Sequence, residues 1–172
     1  MDEKSPLKKG DILPETDKVF RNVLITQRDR RNKNIPAVRC FSLSPHDNNK
    51  LSVDWERLTT PEECIARIGA SFRMGKEEYK QYNNREVYAL DIAFLNSLSE
   101  IEHVVYDPVV YSLPEKGKVN NPAHSLVVFL EEFTHKKMKE PETLIKIRDH
   151  AVNKKAEVDW SQVEELVQLY RI

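Results

Sequence analysis

The chain has 172 residues, of which 40% are hydrophobic and 32% are charged; this balance is typical of one folded globular domain and excludes a disordered chain. The net charge of −1 gives the molecule no overall field that would favour nucleic acid or acidic partners. Its two cysteines, Cys40 and Cys64, are too few for a disulfide framework or a zinc ribbon. The N-terminus lacks the apolar core of a signal peptide, and no apolar run approaches the ~20 residues that span a bilayer, so we expect a cytoplasmic protein with no membrane association.

The N-terminal segment is polar and is interrupted by proline and glycine, which predicts a flexible arm over residues 1–15. Residues 19–25 follow as a predicted strand with Arg21 in its middle. Arg21 has two interpretations. Its side chain lies on the solvent-exposed face of a sheet, or it lies beside a pocket where its guanidinium binds a phosphate or a carboxylate.

A basic segment without apolar residues comes next, and it predicts an exposed loop. Basic loops of this kind contact phosphates in nucleic-acid-binding proteins, although most of them are simply solvated. Nucleic-acid binding through this loop is therefore kept as an alternative. The residues that would make the contact are Arg28, Arg30, Arg31 and Lys33.

Two further strands, over residues 37–44 and 51–55, are predicted to form a hairpin around a polar turn. In that pairing Ser42, Ser44, Ser52 and Asp54 would gather on one polar face. The face is either a solvated surface or part of a binding site.

Residues 60–63 carry strong helix-start signals, since Thr60 is a good N-cap residue, proline follows, and Glu63 completes a capping box. We therefore predict a helix that begins near residue 61 and packs one apolar stripe on the core. Gly69 interrupts that stripe and indicates close packing against a neighbouring element.

The second half of the chain completes the predicted architecture. Three apolar runs predict strands, Asp91 is expected to cap a short helix, and two C-terminal helices begin near residues 142 and 160. The fold class is α+β: one domain with a mixed, mostly antiparallel sheet, packed helices and a C-terminal helical pair. The predicted core covers residues 16–134, and the C-terminal helices, 135–172, pack on the core or face a protein partner. The three strands are expected at residues 86–90, 102–106 and 125–130.

Two corners fixed by proline, Tyr106-Asp107-Pro108 and Asn121-Pro122-Ala123-His124, are expected to bring Asp107 and His124 together. His124 would then act as a general acid or base, Asp107 would orient it, and Arg21 would open toward the same space. The opposing interpretation is a structural histidine that links loop to sheet. The ligand-binding candidates are Ser52, Asp54, Asn121 and Ser42.

No metal or cofactor is expected. His103, Asp107 and His124 are the residues that a metal site would use, but their spacing matches no known ligand pattern.

Arg21, the Ser42-Leu43-Ser44 run and the Glu100-Ile101-Glu102 run occur in the order of the Arg, Ser-x-Ser and Glu-x-Glu elements that ADP-ribosyltransferases share. The resemblance implies that Arg21 holds dinucleotide phosphates, that the serine strand supports the pocket, and that Glu102 steadies the ribose cation.

A second resemblance covers residues 19–130 and is carried by an aromatic-Arg strand, a Ser-Val-Asp strand, an Asp-Pro step and an Asn-Pro-Ala-His step. In these features the chain resembles a group of small uncharacterised bacterial proteins. Tyr106 stands where the group has a histidine before the Asp-Pro step. The resemblance supplies candidate residues and implies no activity.

From these patterns we expect a cytosolic bacterial binding or accessory protein of a defence or toxin-type system, with a polar pocket for a nucleotide-like ligand or a partner. One alternative is an enzyme that acts on a nucleotide or RNA, nuclease-like or ADP-ribosyltransferase-like, through Arg21 and His124. Another is a structural subunit that docks through its C-terminal helices. Convergence of the polar side chains in one cavity would favour the enzyme.

Overall fold

The computed structural model describes residues 7–43, 50–131 and 142–171, in which five strands form a single sheet. The order across the sheet is β3-β1-β2-β5-β4, and every described strand pair is antiparallel. The α+β class and the mostly antiparallel sheet are confirmed, and no parallel pair occurs among the described strands. The strands are β1 (Lys18–Leu24), β2 (Leu51–Trp55), β3 (Arg85–Asp91), β4 (Ile101–Tyr106) and β5 (His124–Phe129).

Among the described residues, four α-helices cover the two faces of this sheet. On one face α2 and α3 enclose the larger core, which includes Val19, Leu51 and Ile147. On the other face α1 and α4 enclose a smaller core around Cys64 and Val167. None of the described helices is both long and apolar enough to cross a membrane. The helices are α1 (Pro61–Gly69), α2 (Ile92–Ser97), α3 (Glu142–Val152) and α4 (Trp160–Tyr170).

The helix starts show which local signals determined the structure. The capping box of α1 is confirmed, because the Glu63 amide donates to Thr60 Oγ1 at 3.2 Å and the Thr60 amide donates to Glu63 Oε2 at 2.9 Å. Asp91 precedes α2 as expected, but its side chain makes no capping hydrogen bond. The Asp91 carboxylate instead pairs with Lys154 Nζ at 3.1 Å and lies 3.3 Å from His150 Nε2.

The predicted strand over residues 37–44 is wrong. Val38–Phe41 is a 3₁₀ helix, in which the Cys40 amide donates to the Ala37 carbonyl at 3.0 Å. The predicted hairpin fails for a geometric reason, since both edges of β2 are already paired, with β1 and with β5. The 3₁₀ helix instead places Val38 and Phe41 in the larger core. The predicted turn after it covers residues 45–50, of which 45–49 lie outside the described residues.

The two ends of the described chain are packed more closely than expected. In the predicted arm over residues 1–15, the Gly10 amide donates to the Tyr106 carbonyl at 2.8 Å and Leu13 is buried against β4. Residues 1–6 lie outside the described residues. Val163 and Val167 of α4 are fully buried against α1, so the apolar stripe that was expected to be able to face a partner is used inside the molecule.

Candidate functional site

A cavity of about 350 Å³ opens on the face of the sheet that α1 covers. Side chains of β1, β2 and β5 line it together with α1 and the segment that precedes β5. Most of the candidate residues meet here, although Asp107 and Ser42 do not line this cavity. The candidates in its wall are Arg21, Ser52, Asp54, Asn121 and His124.

A chain of polar contacts connects Ser52, His124 and Asp107. The Ser52 hydroxyl lies 2.8 Å from His124 Nε2, and His124 Nδ1 lies 2.7 Å from the Asp107 carbonyl oxygen. Because a carbonyl can only accept, Nδ1 carries the proton, and Nε2 is left to accept the hydrogen of Ser52. The contact geometry therefore places a basic nitrogen on the hydroxyl, which is the arrangement of an activated serine.

The carboxylate of Asp107 also lies close to the imidazole of His124. Its Oδ2 lies 3.4 Å from His124 Nδ1, and its Oδ1 pairs with Lys9 Nζ at 2.9 Å. The Asp107 amide also donates to the His124 carbonyl at 3.0 Å. Asp107 and His124 are neighbours, as the two proline corners predicted.

The registers of the strands explain why these side chains share one face. Phe20 pairs with Asp54, and Asp54 pairs with His124, so all three point to the α1 side of the sheet. Ser52 is two residues from Asp54 on β2 and therefore has the same orientation.

Because side chains alternate along a strand, Arg21 lies on the opposite face of the sheet from Phe20. Its register partner on β3 is Tyr88. Its Nε donates to the Cys40 carbonyl at 2.9 Å, and its Nη1 donates to the Ser52 carbonyl at 2.8 Å. Arg21 contributes to the cavity wall, but these contacts fix the backbone behind Ser52. The expectation that Arg21 and His124 point into one space is corrected accordingly.

Cys64 also lines the cavity, but burial raises the pKa of its thiol well above the ordinary value, and the Asp54 carboxylate adds to the effect. A protonated thiol is a poor nucleophile. Ser52 is therefore the better nucleophile in this wall.

Three cationic side chains in the wall were missed by the sequence analysis: Arg67, Lys80 and Arg85. One signal was available for Arg67, because it occupies the apolar stripe of α1 between Cys64 and Ile68. Lys80 and Arg85 lie near a predicted strand start and carry no comparable signal.

The elements of the ADP-ribosyltransferase resemblance do not meet among the described residues. Arg21 lies on β1 and Glu102 on β4, which β2 and β5 separate in the sheet. Ser42 ends a 3₁₀ helix instead of lying on a strand, and Ser44 lies outside the described residues. Neither Glu100 nor Glu102 lines the cavity. The geometry gives this resemblance no support.

Within the described ranges, no three His, Cys, Asp or Glu side chains are grouped so that they could hold a metal ion.

The predicted basic loop forms one side of a second cavity, of about 1000 Å³, and α3 forms another side. This groove lies against the larger core, on the opposite face of the sheet from His124. Arg28 is held by both oxygens of Glu86, at 3.0 and 2.6 Å. The exposed cations of the groove are Arg30, Arg31, Lys33 and Arg39.

No protein-family model, curated protein or solved structure matches this chain. The resemblance to the bacterial group therefore stays a prediction, and the functional proposals that follow depend on the geometry of the described residues.

Proposed function

We propose that the protein is a hydrolase that cleaves a small ester in the cavity beside His124, with Ser52 as nucleophile and His124 as general base. The observation that carries the proposal is the chain from the Ser52 hydroxyl to His124 Nε2, at 2.8 Å, and from Nδ1 to the backbone carbonyl oxygen of Asp107, at 2.7 Å, with the Asp107 carboxylate 3.4 Å from Nδ1. A hydroxyl, an imidazole and a group that orients the imidazole are the three parts that nucleophilic serine catalysis needs.

In the first step Ser52 Oγ bonds to the electrophilic centre of the ester while its proton passes to His124 Nε2. The alcohol then leaves as the ester bond breaks, and it takes that proton from Nε2. In the second step water gives a proton to Nε2 and attacks the ester of Ser52, which releases the acid and restores the hydroxyl. Asp107 stabilises the imidazolium that forms in each step.

The test uses a fluorophosphonate probe. Ser52 Oγ would form a bond to the phosphorus of the probe, and fluoride would leave. We expect a single covalent adduct that peptide mass spectrometry assigns to Ser52. Ser52→Ala should remove the adduct, and His124→Ala should slow labelling by about 100-fold or more, the usual contribution of a general base.

Ser112→Ala is the matched control, because Ser112 is exposed and lies outside the cavity wall. It should label like the wild type. Labelling at another residue, or an unchanged rate in folded His124→Ala, contradicts the proposal.

A second candidate function is nucleic-acid binding in the groove that the basic loop forms with α3. Its support is a wall with six cations, Arg28, Arg30, Arg31, Lys33, Arg39 and Arg148, and one carboxylate, Asp29. The described lining contains no aromatic side chain for base stacking, so contact would be limited to phosphates and would not depend on sequence.

Fluorescence anisotropy with a short DNA duplex tests this candidate. The affinity should fall steeply with salt concentration, and the double variant Arg30→Gln, Arg31→Gln should reduce the salt dependence by about two phosphate contacts. Lys76→Gln, exposed and outside the groove, is the control. Binding that neither salt nor the double variant changes argues against the groove.

The biological setting, a bacterial accessory protein of a defence or toxin-type system, stays a prediction. So does a protein partner. The buried stripe of α4 no longer supports a partner that binds there.

A further inference from the structure

We propose that the cavity beside His124 binds the phosphate group of a small phosphate-bearing substrate against Arg67 and Arg85. This inference rests on the hydrolase proposed above and adds the class of molecule that the cavity accepts. It is carried by the charges of the wall and by two cationic groups in it, whose charges are compensated weakly or not at all among the described residues.

Arg85 is the first of these groups. It is half-buried at the start of β3, and none of the hydrogen bonds or ion pairs of the described residues involves its side chain. Burial alone lowers its pKa, without a neighbouring carboxylate to oppose the effect. A partly buried cation without a counter-charge is costly for a fold, and an anion bound beside it would offset that cost.

Arg67 is the second group, and it is only 7% exposed. Its Nη2 bonds to Thr59 Oγ1 at 2.5 Å, while its Nε is buried without a partner. The nearest carboxylate, Asp54, is 3.9 Å from Nη2 and already accepts a bond from Asn121. The charge of Arg67 is therefore only weakly compensated within the described structure.

The charge balance of the wall favours phosphate over carboxylate. Arg67, Lys80 and Arg85 contribute three cationic side chains, and Asp54 is the one carboxylate among the lining residues. Arg21 is not counted, because its guanidinium bonds to backbone carbonyls on the opposite face of the sheet. A phosphate monoester carries about −1.5 to −2 charges at neutral pH, whereas a carboxylate carries one. Of the two groups, only the phosphate has a negative charge close in size to the excess positive charge of this wall.

The side-chain amide of Asn22 adds a polar group to the same wall. Both its oxygen and its nitrogen are buried without a hydrogen-bond partner. Buried polar atoms are nearly always paired in folded proteins, so the unpaired amide of Asn22 beside the cavity is available to a polar ligand. The volume of about 350 Å³ restricts that ligand to a small molecule.

The experiment is a titration of isotope-labelled protein with inorganic phosphate, followed by NMR through the arginine Nε–H signals. The signals of Arg67 and Arg85 should shift and saturate, whereas sodium acetate at equal ionic strength should leave them unchanged. Arg85→Gln should weaken phosphate binding about tenfold or more, as expected for the loss of one charged hydrogen bond.

Arg73→Gln is the control, because Arg73 is exposed and lies outside the cavity wall. It should leave the affinity unchanged. If Arg85→Gln does not fold, Lys80→Gln replaces it, because Lys80 is an exposed member of the same wall. Equal shifts with acetate, an unchanged affinity in the folded variant, or shifts confined to Arg30 and Arg39 of the other groove overturn the inference.

The outcomes for the two proposals can be separated. Labelling of Ser52 without phosphate binding would keep the hydrolase and exclude the phosphate site. Phosphate binding without labelling would keep the site and exclude the hydrolase.

Discussion

The Asp54 carboxylate accepts a hydrogen bond of 2.7 Å from the side-chain amide of Asn121. The same Asn121 side chain accepts a bond from the Ala123 amide at 3.2 Å through its oxygen. The side-chain amide of Asn121 thus connects β2, near its C-terminal end, to the turn that precedes His124. Because Asp54 and His124 are paired across β2 and β5, this brace helps to fix the imidazole over Ser52.

Asn121→Ala should therefore weaken both the fold and the site. We expect a loss of about 1–2 kcal/mol in the free energy of unfolding, because a partly buried carboxylate loses its donor. Fluorophosphonate labelling should slow as well. Urea denaturation and labelling rates measure the two effects. The exposed Asn83→Ala serves as control, and equal behaviour of the two variants would show that the brace is unimportant.

The stability should fall at acidic pH because of Glu86. Burial would raise the pKa of this carboxyl, but hydrogen bonds from Arg28, Tyr88 and Lys155 outweigh burial and lower it to about 2. A depressed carboxyl pKa stabilises the fold above the unfolded value of 4.5, and this contribution disappears as the pH falls from 4.5 toward 2.

The shift corresponds to about 3 kcal/mol as an order of magnitude. Denaturation midpoints between pH 6 and 2.5 should decrease for the wild type and change less in Glu86→Gln. The same slope in both proteins would assign the acid sensitivity to other carboxyls.

Thr60→Ala should lower the free energy of unfolding by about 1 kcal/mol, because the Glu63 amide loses its acceptor at the start of α1. Thermal or urea denaturation measures this loss. Thr60→Ser retains the hydroxyl and should remain close to the wild type. A midpoint that is unchanged in Thr60→Ala would show that the cap does not contribute to stability.

Gly69→Ala should destabilise the packing of α1 on its neighbours. A Cβ at this position would lie 2.5 Å from the Tyr82 ring and 2.9 Å from Val167 Cγ2, and such overpacking costs about 1–3 kcal/mol. The cost should shrink in a Tyr82→Ala background, where the ring is absent. If the two changes are additive in urea denaturation, the close contact is not the cause.

Val167→Asp distinguishes a core helix from a removable one. Val167 is fully buried between α4 and α1, so an unpaired carboxylate there should cost several kcal/mol or prevent folding. Leu169 lies on the same helix, and its side chain is 72% exposed. Leu169→Asp should therefore change the free energy of unfolding by less than about 0.5 kcal/mol. If circular dichroism melts of the two variants agree, α4 is not part of the core.

Part of the candidate site could be predicted from the sequence because the prolines act locally. The Asp-Pro and Asn-Pro corners restrict the backbone beside them, and they brought Asp107 and His124 together. The contact between His124 and Ser52 could not be predicted, because it depends on which strand lies beside β5. The expected hairpin paired β2 with residues 37–44. In the structure β2 lies between β1 and β5 instead, and its pairing with β5 places His124 beside Ser52.

The sequence by itself determined the α+β class, the strands at 51–55 and 86–90, and the capped start of α1, since each depends on side chains within a few residues of one another. Only the tertiary structure decided the order of the strands, the burial of α4, and the face that Arg21 occupies. These features depend on contacts between residues that are distant in the chain, and many pairings of the same strands satisfy the local pattern equally well. Packing the helices on both faces of the sheet selects one pairing, and that pairing places the serine, the histidine and the two weakly compensated arginines, Arg67 and Arg85, around one cavity.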